Sequence, residues 1–288
     1  MIDQTGGGFP PGAPDSPAMP TPPPTGPLVT RDTVAAALRA LGVRPGGILL
    51  AHTSLKSLGW VCGGPVAVVR GLLDALGPDG TLVVPAHSGD LSDPALWGNP
   101  PVPEEWWDTI RATLPAYDPA TTPTCGVGIV PETVRTWPGA LRSAHPQTSF
   151  AAIGPRAREI TDGHATDCRL GERSPLARLE AAGARVLLLG AGYDTCTCFH
   201  LAEYRIPAPR VREGRPGPHG WETVTEVSIT SERFGELGHD FERDRPVATG
   251  KVGAADARLF PVADAVAYAE RWLALHRPRE EDIAHPPA

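Results

Sequence analysis

The sequence predicts an α/β protein whose central sheet is mostly parallel and covered by helices. Short, unbroken apolar runs alternate with segments of helical periodicity, and several of these runs end at polar residues or glycines. Apolar runs without alternation are typical of strands buried on both faces, as in parallel sheets. A chain of 288 residues, 41% of them hydrophobic, is also long enough to bury a core of this kind.

The predicted helices and strands follow one another from residue 30. Thr30 is expected to cap a first helix that ends at Leu41. A second helix has Pro65 in its first turn and Gly77 after its last. The predicted strands cover residues 48–51, 81–85, 185–189 and 223–229. A helix is expected to begin near Thr195, and an amphipathic helix over residues 262–275 ends the domain.

A single domain, residues 28–277, is expected between two tails. Residues 1–27 contain nine prolines and five glycines and have little apolar surface to bury. This composition is typical of disorder, and residues 278–288 have the same character. No apolar run is long enough to span a membrane.

Charge and cysteine content restrict the partners and the compartment. The chain has 33 acidic residues against 26 Lys and Arg, so its formal net charge of -7 has the wrong sign for a nucleic-acid backbone. Five cysteines in a long chain are not typical of a disulfide framework. Since no signal peptide is recognisable, we expect a cytoplasmic protein that binds neither nucleic acid nor membranes. Its oligomeric state is left open.

Polar residues and glycines follow three of the predicted strands, at residues 52–54, 87–88 and 190–192. The carboxyl ends of parallel strands meet at one edge of a sheet, where ligands bind. The turn after the first strand also offers hydroxyls and a glycine pair that could bind an anion such as a pyrophosphate. The usual nucleotide fingerprints are absent, and an ordinary strand-to-helix turn is the alternative. The candidate cofactor-binding residues are His52, Thr53, Ser54, Ser57, Gly63 and Gly64.

Three segments carry a more specific pattern. They are HTSLKSLGWVCGGPVAVVRGLLDALGPDGTLVVPAHS at residues 52–88, SAHPQTSFAAIGPRA at 143–157 and GERSPLARLEAAGARVLLLGAGYDTCTCFHLAEYRIPAPR at 171–210. In this order they resemble the aminoglycoside 3-N-acetyltransferase family. The resemblance implies a fold distinct from the common GNAT-type acetyltransferase fold. It also implies acetyl-CoA as donor, a 2-deoxystreptamine aminoglycoside as acceptor at its 3-amino group, and antibiotic resistance as the outcome.

Acetyl transfer to an amine requires a base, because the acceptor is an ammonium ion at neutral pH. Histidine is the natural choice, with a carboxylate to orient the imidazole. His145, held in extended backbone by Pro146, is the preferred base, with Glu172 and Asp194 as partners or as ligands for the drug's amines. His200 with Glu203, on one helix face, is the second choice. Backbone N–H groups of the 54–57 turn are candidate donors to the oxyanion.

The segment from His87 to Asp118 is the candidate acceptor site. It contains six acidic residues, a single basic residue and three tryptophans. Acids attract a polycation, and indole faces pack on sugars and ammonium groups. A solvated loop with its tryptophans in the core is the alternative. The candidate substrate-binding residues are Asp90, Asp93, Trp97, Glu104, Trp106, Trp107 and Asp108.

Other functions have weaker support. Cys196 and Cys198 beside His200 lack a second pair at zinc-site spacing, so we expect no metal. No GxSxG elbow of a serine hydrolase is present. An enzyme of the same fold that acylates another amine in antibiotic biosynthesis, and a non-catalytic ligand-binding relative, stay open as alternatives.

Overall fold

The structure, a computed structural model, describes residues 25–277. Both tails expected from the composition therefore lie outside the described residues, except for residues 25–27. The helices are α1 (Arg31–Leu41), α2 (Gly64–Leu76), α3 (Trp107–Thr113), α4 (Ile129–Arg135), α5 (Ala157–Thr161), α6 (Pro175–Ala181), α7 (Phe199–Glu203), α8 (Phe234–Asp244) and α9 (Val262–His276). The strands are β1 (Ile48–Thr53), β2 (Thr81–Pro85), β3 (Leu141–Arg142), β4 (Phe150–Ile153), β5 (Arg185–Leu189), β6 (Arg210–Gly217), β7 (Gly220–Val227), β8 (Ala248–Val252) and β9 (Ala255–Pro261).

A seven-stranded mixed sheet in the order β3-β4-β2-β1-β5-β9-β8 forms the centre of the molecule. β1 pairs in parallel with β2 on one side and with β5 on the other. The four outer strands all pair antiparallel to their neighbours. The predicted α/β class with a parallel centre is confirmed. The antiparallel flanks were not predicted. β3 has only two residues, and β8 and β9 mix polar with apolar residues, whereas the apolar run of β4 does not reveal the direction in which the strand pairs.

Both faces of this sheet are covered by helices. Along β1, Leu50 belongs to a core shared with α5, α6, α7, α8 and α9, whereas Leu49 and Ala51 face a second core with α1, α2 and α4. Alternate residues of each central strand are therefore buried on opposite faces. His52 follows Leu50 on the first of these faces, which we call the α7 face because it carries α7.

Local sequence signals place most element boundaries correctly. Thr30 caps α1 by accepting a hydrogen bond from the Thr33 N–H, and Gly42 ends the helix with a φ of 108°. Two expectations shift in position. The predicted strand 223–229 is β7, which pairs with β6 in a separate two-stranded sheet. Near Thr195 the chain first makes a 3-10 turn over Tyr193–Thr195, and α7 begins only at Phe199.

Within residues 25–277, no helix has both the length and the apolar character needed to cross a membrane.

The contact between α8 and Tyr193 gives a test of the packing on the α7 face. A Cβ added to Gly238 would lie 1.9 Å from Tyr193 Cγ, whereas one added to Gly235 in the same helix would meet open space. Gly238→Ala is therefore expected to destabilise the protein by about 1–3 kcal/mol. Gly235→Ala should stabilise it by about 0.5–1 kcal/mol, because alanine is the better helix former. Denaturant unfolding measures both; equal effects would contradict this packing.

Candidate functional site

Five strands bring their polar ends to one edge of the sheet. The parallel strands β1, β2 and β5 end there, at His52, before His87 and before Gly190. β4 and β9 run antiparallel to their neighbours, so they begin at the same edge. The segment before β4 carries His145, and the loop after β5 leads to α7. The edge therefore collects histidines from four segments that are far apart in sequence.

His200 and Glu203 form the closest polar pair at this edge. His200 Nδ1 lies 2.5 Å from Glu203 Oε2, and the Glu203 side chain is fully buried. The other carboxylate oxygen accepts hydrogen bonds from the Thr230 N–H at 3.0 Å and from the Arg277 guanidinium. Glu203 is thus held as a carboxylate, and the ring proton of a neutral His200 lies on Nδ1. Within residues 25–277, Nε2 of His200 makes no hydrogen bond, which leaves its lone pair free.

Burial keeps the imidazole of His200 neutral. Loss of hydration lowers the pKa of His200, and the guanidinium groups of Arg169 and Arg277 act in the same direction. The Glu203 carboxylate opposes this shift, since it would stabilise an imidazolium. Because Arg277 balances part of that charge, the resting state is a neutral ring that can hold a proton transiently.

His145 has the opposite arrangement. Its Nδ1 accepts hydrogen bonds from the N–H groups of Gln147 and Thr148, both at 3.1 Å. The ring proton of neutral His145 must therefore lie on Nε2, which is buried without a partner among the described residues. Burial lowers the pKa of His145 well below its usual value. Neither ring nitrogen is thus a free, accessible proton acceptor.

Two further histidines lie beside His200. Burial lowers the pKa of His52 to about 3, and a charge on His200 lowers it further. Burial likewise lowers the pKa of His87 to about 3, with contributions from His200 and His52. The Nε2 atoms of both rings are buried without a partner in the described part of the chain. Such orphaned polar atoms are typical of a surface built to contact a ligand.

A cleft of about 410 Å³ opens at one of these histidines, His87. Besides His87, it is lined by Gln147, Thr148, Arg169 and Glu213, together with the loop around Ser92 and the segment 125–127. Gln147 Oε1, Arg169 Nε and Glu213 Oε2 are also buried without partners among residues 25–277. A larger hollow of about 670 Å³ lies between α1 and α2 at the opposite end of the strands, with none of the histidines in its lining.

The turn after β1 packs against the end of β5. The Ser54 N–H donates to Leu189 O at 2.9 Å, and Ser57 Oγ donates to Gly190 O at 3.1 Å. The Ser54 and Ser57 hydroxyl oxygens lie 2.8 Å apart. Gly63 and Gly64, with φ of 84° and 56°, then start α2. This places the predicted cofactor-binding residues at the same edge as His52; Thr53 Oγ1 is buried without a partner in the described range.

Glu172 and Asp194 lie outside the histidine cluster. Glu172 is exposed and pairs with Arg205 at 2.6 Å; the same arginine also pairs with Glu180 and Glu270. Asp194 is exposed in the 3-10 turn before α7. The structure therefore joins His200 with Glu203 but brings neither Glu172 nor Asp194 to His145.

The acidic segment 87–118 is only partly near the cleft. Its first loop borders the opening through Gly89, Ser92 and Leu96. Asp93 forms an ion pair with Arg111 at 2.7 Å, so the charge of the Asp93 carboxylate is already balanced. The remaining candidates form no acidic surface in the cleft. Trp97 donates to Ser92 Oγ, Trp107 is half-buried, and Asp90, Glu104, Trp106 and Asp108 are exposed.

Arg169, Glu213 and Gln147 carry no signal in the sequence that marks them as site residues. Arg169 and Glu213 are 44 positions apart and meet only because the β6–β7 hairpin folds over the 164–170 loop. His87 was recognisable as a histidine at a strand end, but its contact with the cleft was not. Cys196 and Cys198 are both buried, with their sulfurs 3.5 Å apart. In residues 25–277, no three His, Cys, Asp or Glu side chains are grouped so that they could hold a metal ion.

The chain resembles known proteins over most of its length. The model of the family described as aminoglycoside 3-N-acetyltransferase matches residues 50–274. The SPbeta prophage-derived aminoglycoside N(3')-acetyltransferase-like protein YokD of Bacillus subtilis is 46% identical over 250 residues, which are 85% of this chain and 92% of the relative. Aminoglycoside N(3)-acetyltransferase VIII of Streptomyces fradiae is 38% identical over 267 residues, 85% of this chain and 92% of that one.

Solved structures agree with this resemblance. The crystal structure of YokD from Bacillus subtilis has a TM-score of 0.85 and 44% identity, covering 88% of this chain and 96% of that one. A binary complex of AAC-IIIb with CoASH has a TM-score of 0.74 and 32% identity, over 88% and 100% of the two chains. AAC-VIa bound to sisomicin has a TM-score of 0.75 and 33% identity, over 85% and 97%.

The buried imidazole of His52 should make stability depend on pH. Its pKa is about 3 in the folded protein, against 6.5 for an ordinary histidine. Between these values the unfolded chain binds more protons, so the free energy of unfolding falls as the pH drops below 6.5. Denaturant unfolding of the wild type and His52→Gln measures this. The loss between pH 7 and pH 5 should be about 2 kcal/mol smaller in the variant. An identical loss in both proteins would contradict the buried neutral ring.

Proposed function

The chain belongs to the aminoglycoside 3-N-acetyltransferase family, and on that premise we propose that it transfers acetyl from acetyl-CoA to the 3-amino group of a 2-deoxystreptamine aminoglycoside. Acetylation removes a positive charge from the drug and so confers resistance. Support for the donor comes from the relative that binds CoASH, and support for the acceptor from the relative bound to sisomicin. The observation that carries the proposal is the His200–Glu203 pair. His200 is near enough to His87 and Arg169, which line the cleft, for their charges to interact.

His200 is the general base in this proposal. The acceptor's ammonium group first loses a proton to solvent. The resulting free amine attacks the thioester carbonyl carbon, and a carbon–nitrogen bond forms. The nitrogen becomes strongly acidic as it bonds, so even a histidine of lowered pKa can take its proton at Nε2. The tetrahedral intermediate then collapses, the carbon–sulfur bond breaks, and His200 returns the proton to the CoA thiolate. The products are the acetylated amine and free CoA.

Glu203 orients the ring and stabilises the transient charge. Its Oε2 accepts the Nδ1 proton, which fixes the tautomer with a lone pair on Nε2. When Nε2 gains a proton, the carboxylate at 2.5 Å becomes the partner of an imidazolium. His145 is the weaker candidate, since its free nitrogen carries the proton and its other nitrogen is occupied. We therefore assign His145 to holding the 145–148 turn, with Glu172 outside the reaction.

The donor is assigned to the turn after β1. This turn lies at the strand edge next to the end of β5, and α2 begins after it in the chain, at Gly64. The hydroxyls of Ser54 and Ser57 and the glycine pair at 63–64 are the proposed contacts of the CoA moiety. The N–H groups of Ser54 and Ser57 already donate to Leu189 O and Ser54 O, so within the 54–57 turn those of Leu55 and Lys56 remain the proposed oxyanion donors. The acetylated thiol end then lies near His200, and the cleft beside His87 receives the acceptor.

Release of free CoA tests the proposed reaction directly. Purified protein with acetyl-CoA and neomycin, paromomycin or gentamicin should release thiol, and mass spectrometry should place one acetyl group on the 3-amino nitrogen. If thiol is released with an unrelated amine but not with any of the aminoglycosides, the alternative of another acceptor in the same fold is supported. If no thiol is released with any amine tested, only the non-catalytic alternative remains and the proposal is contradicted.

The same assay separates the two histidines. His200→Ala is expected to lower kcat by about 10²- to 10⁴-fold, because the base is lost. Glu203→Gln should lower kcat less, since the amide oxygen can still accept the Nδ1 proton. His145→Gln should leave kcat within about tenfold, and exposed His219 at the β6–β7 turn supplies the control variant His219→Ala. A loss with His145→Gln that matches His200→Ala, in proteins with unchanged circular dichroism, would return the base to His145.

A further inference from the structure

One ion pair crosses the lining of the cleft. An Arg169 Nη atom contacts Glu213 Oε1, and the two side chains are 21% and 16% exposed. The pair leaves Arg169 Nε and Glu213 Oε2 buried without partners among residues 25–277. Unused donors and acceptors of a buried ion pair cost free energy, so natural proteins rarely leave them without a function.

The backbone of Arg169 is fixed on both sides. Its N–H donates to the buried Glu226 carboxylate at 2.8 Å. Its carbonyl oxygen accepts from Thr148 Oγ1 at 3.0 Å and lies 2.9 Å from His164 Nε2. The guanidinium can therefore change only its rotamer, and it stays at the cleft. Its charge reaches the histidines as well, because it lowers the pKa values of His87, His145 and His200.

The charges that line the cleft cancel. Arg169 and Glu213 are the one basic and the one acidic side chain in its lining besides His87, which burial keeps neutral. None of the six acids of segment 87–118 lines the cleft. Asp93 is paired with Arg111, and the other five are exposed. A polycationic acceptor in this cleft meets one carboxylate, and that carboxylate is already occupied by an arginine.

We propose that Arg169 is a specificity-determining residue that limits the positive charge of the acceptor. This inference rests on the proposed function, in which the cleft holds the acceptor amine. Glu213 binds one ammonium group of the acceptor through its free oxygen, and the Arg169 guanidinium repels additional ammonium groups. The favoured acceptors are therefore 2-deoxystreptamine compounds with few positive charges near the reacting nitrogen. Aminoglycosides with many amino groups bind less tightly than they would if Glu213 were not paired with Arg169.

Removal of the guanidinium should strengthen the binding of polycations. For Arg169→Leu we expect the Kd of neomycin, measured by calorimetry, to fall on the order of tenfold. The Kd of 2-deoxystreptamine, which carries only the two ring amines, should change by less than about threefold. Arg169→Lys keeps the charge and should behave as wild type. Arg173→Leu removes an exposed arginine of the same loop, paired with Asp167, and is the matched control without effect.

The opposite change tests the carboxylate. Glu213→Gln leaves Arg169 unopposed and should raise the Kd of neomycin more than that of 2-deoxystreptamine. This second variant keeps the test decisive if Arg169→Leu does not fold. An unchanged or raised Kd of neomycin in folded Arg169→Leu overturns the proposal, and so does a loss of kcat at unchanged Kd, which would make Arg169 part of the reaction. Calorimetry measures binding without turnover. A wild type that releases no thiol would therefore contradict the proposed function, whereas the Kd values of the variants would still test the role of Arg169.

Discussion

A fully buried carboxylate, Glu203, sets the conditions for the rest of the site. Burial of such a charge costs several kcal/mol unless hydrogen bonds and a counterion replace the lost water. Here the replacements come from three segments: His200 in α7, the Thr230 N–H after β7, and Arg277 at the end of α9. The requirement to satisfy one carboxylate therefore ties the end of α9 and the segment after the hairpin to the helix that carries the base.

The mixed sheet explains why the histidines around this pair are neutral. Parallel central strands and antiparallel neighbours bring four segments to a single edge, on the α7 face of the sheet. The side chains collected there displace water from one another, which lowers the pKa values of His52 and His87. A site of neutral imidazoles suits amine acylation, because a base must begin the reaction without its proton. Arg169 contributes its charge to the same environment and to the cleft.

The sequence predicts what local chemistry determines. The Thr30 cap predicts the start of α1 correctly, and the apolar runs of β2 and β5 predict both ends of these strands to the residue. The pairing of His200 with Glu203 across one helical turn is also local. Contacts over long separations could not be predicted. The partner of Glu172 is Arg205, 33 positions away, and the partner of Arg169 is Glu213, 44 positions away. Likewise, the acids of segment 87–118 suggest an acidic pocket, and only the fold reveals that an arginine neutralises Asp93.

The assignment of the base depends on where two ring protons lie. In the free enzyme at neutral pH, His200 should carry its proton on Nδ1, toward Glu203, and His145 should carry its proton on Nε2. Nitrogen-15 NMR of histidine-labelled protein, with His200→Gln and His145→Gln for assignment, measures the tautomer of each ring. The two rings should show opposite tautomers, and both should be neutral. A proton on Nε2 of His200, or a free Nε2 lone pair on His145, would contradict this assignment of the base.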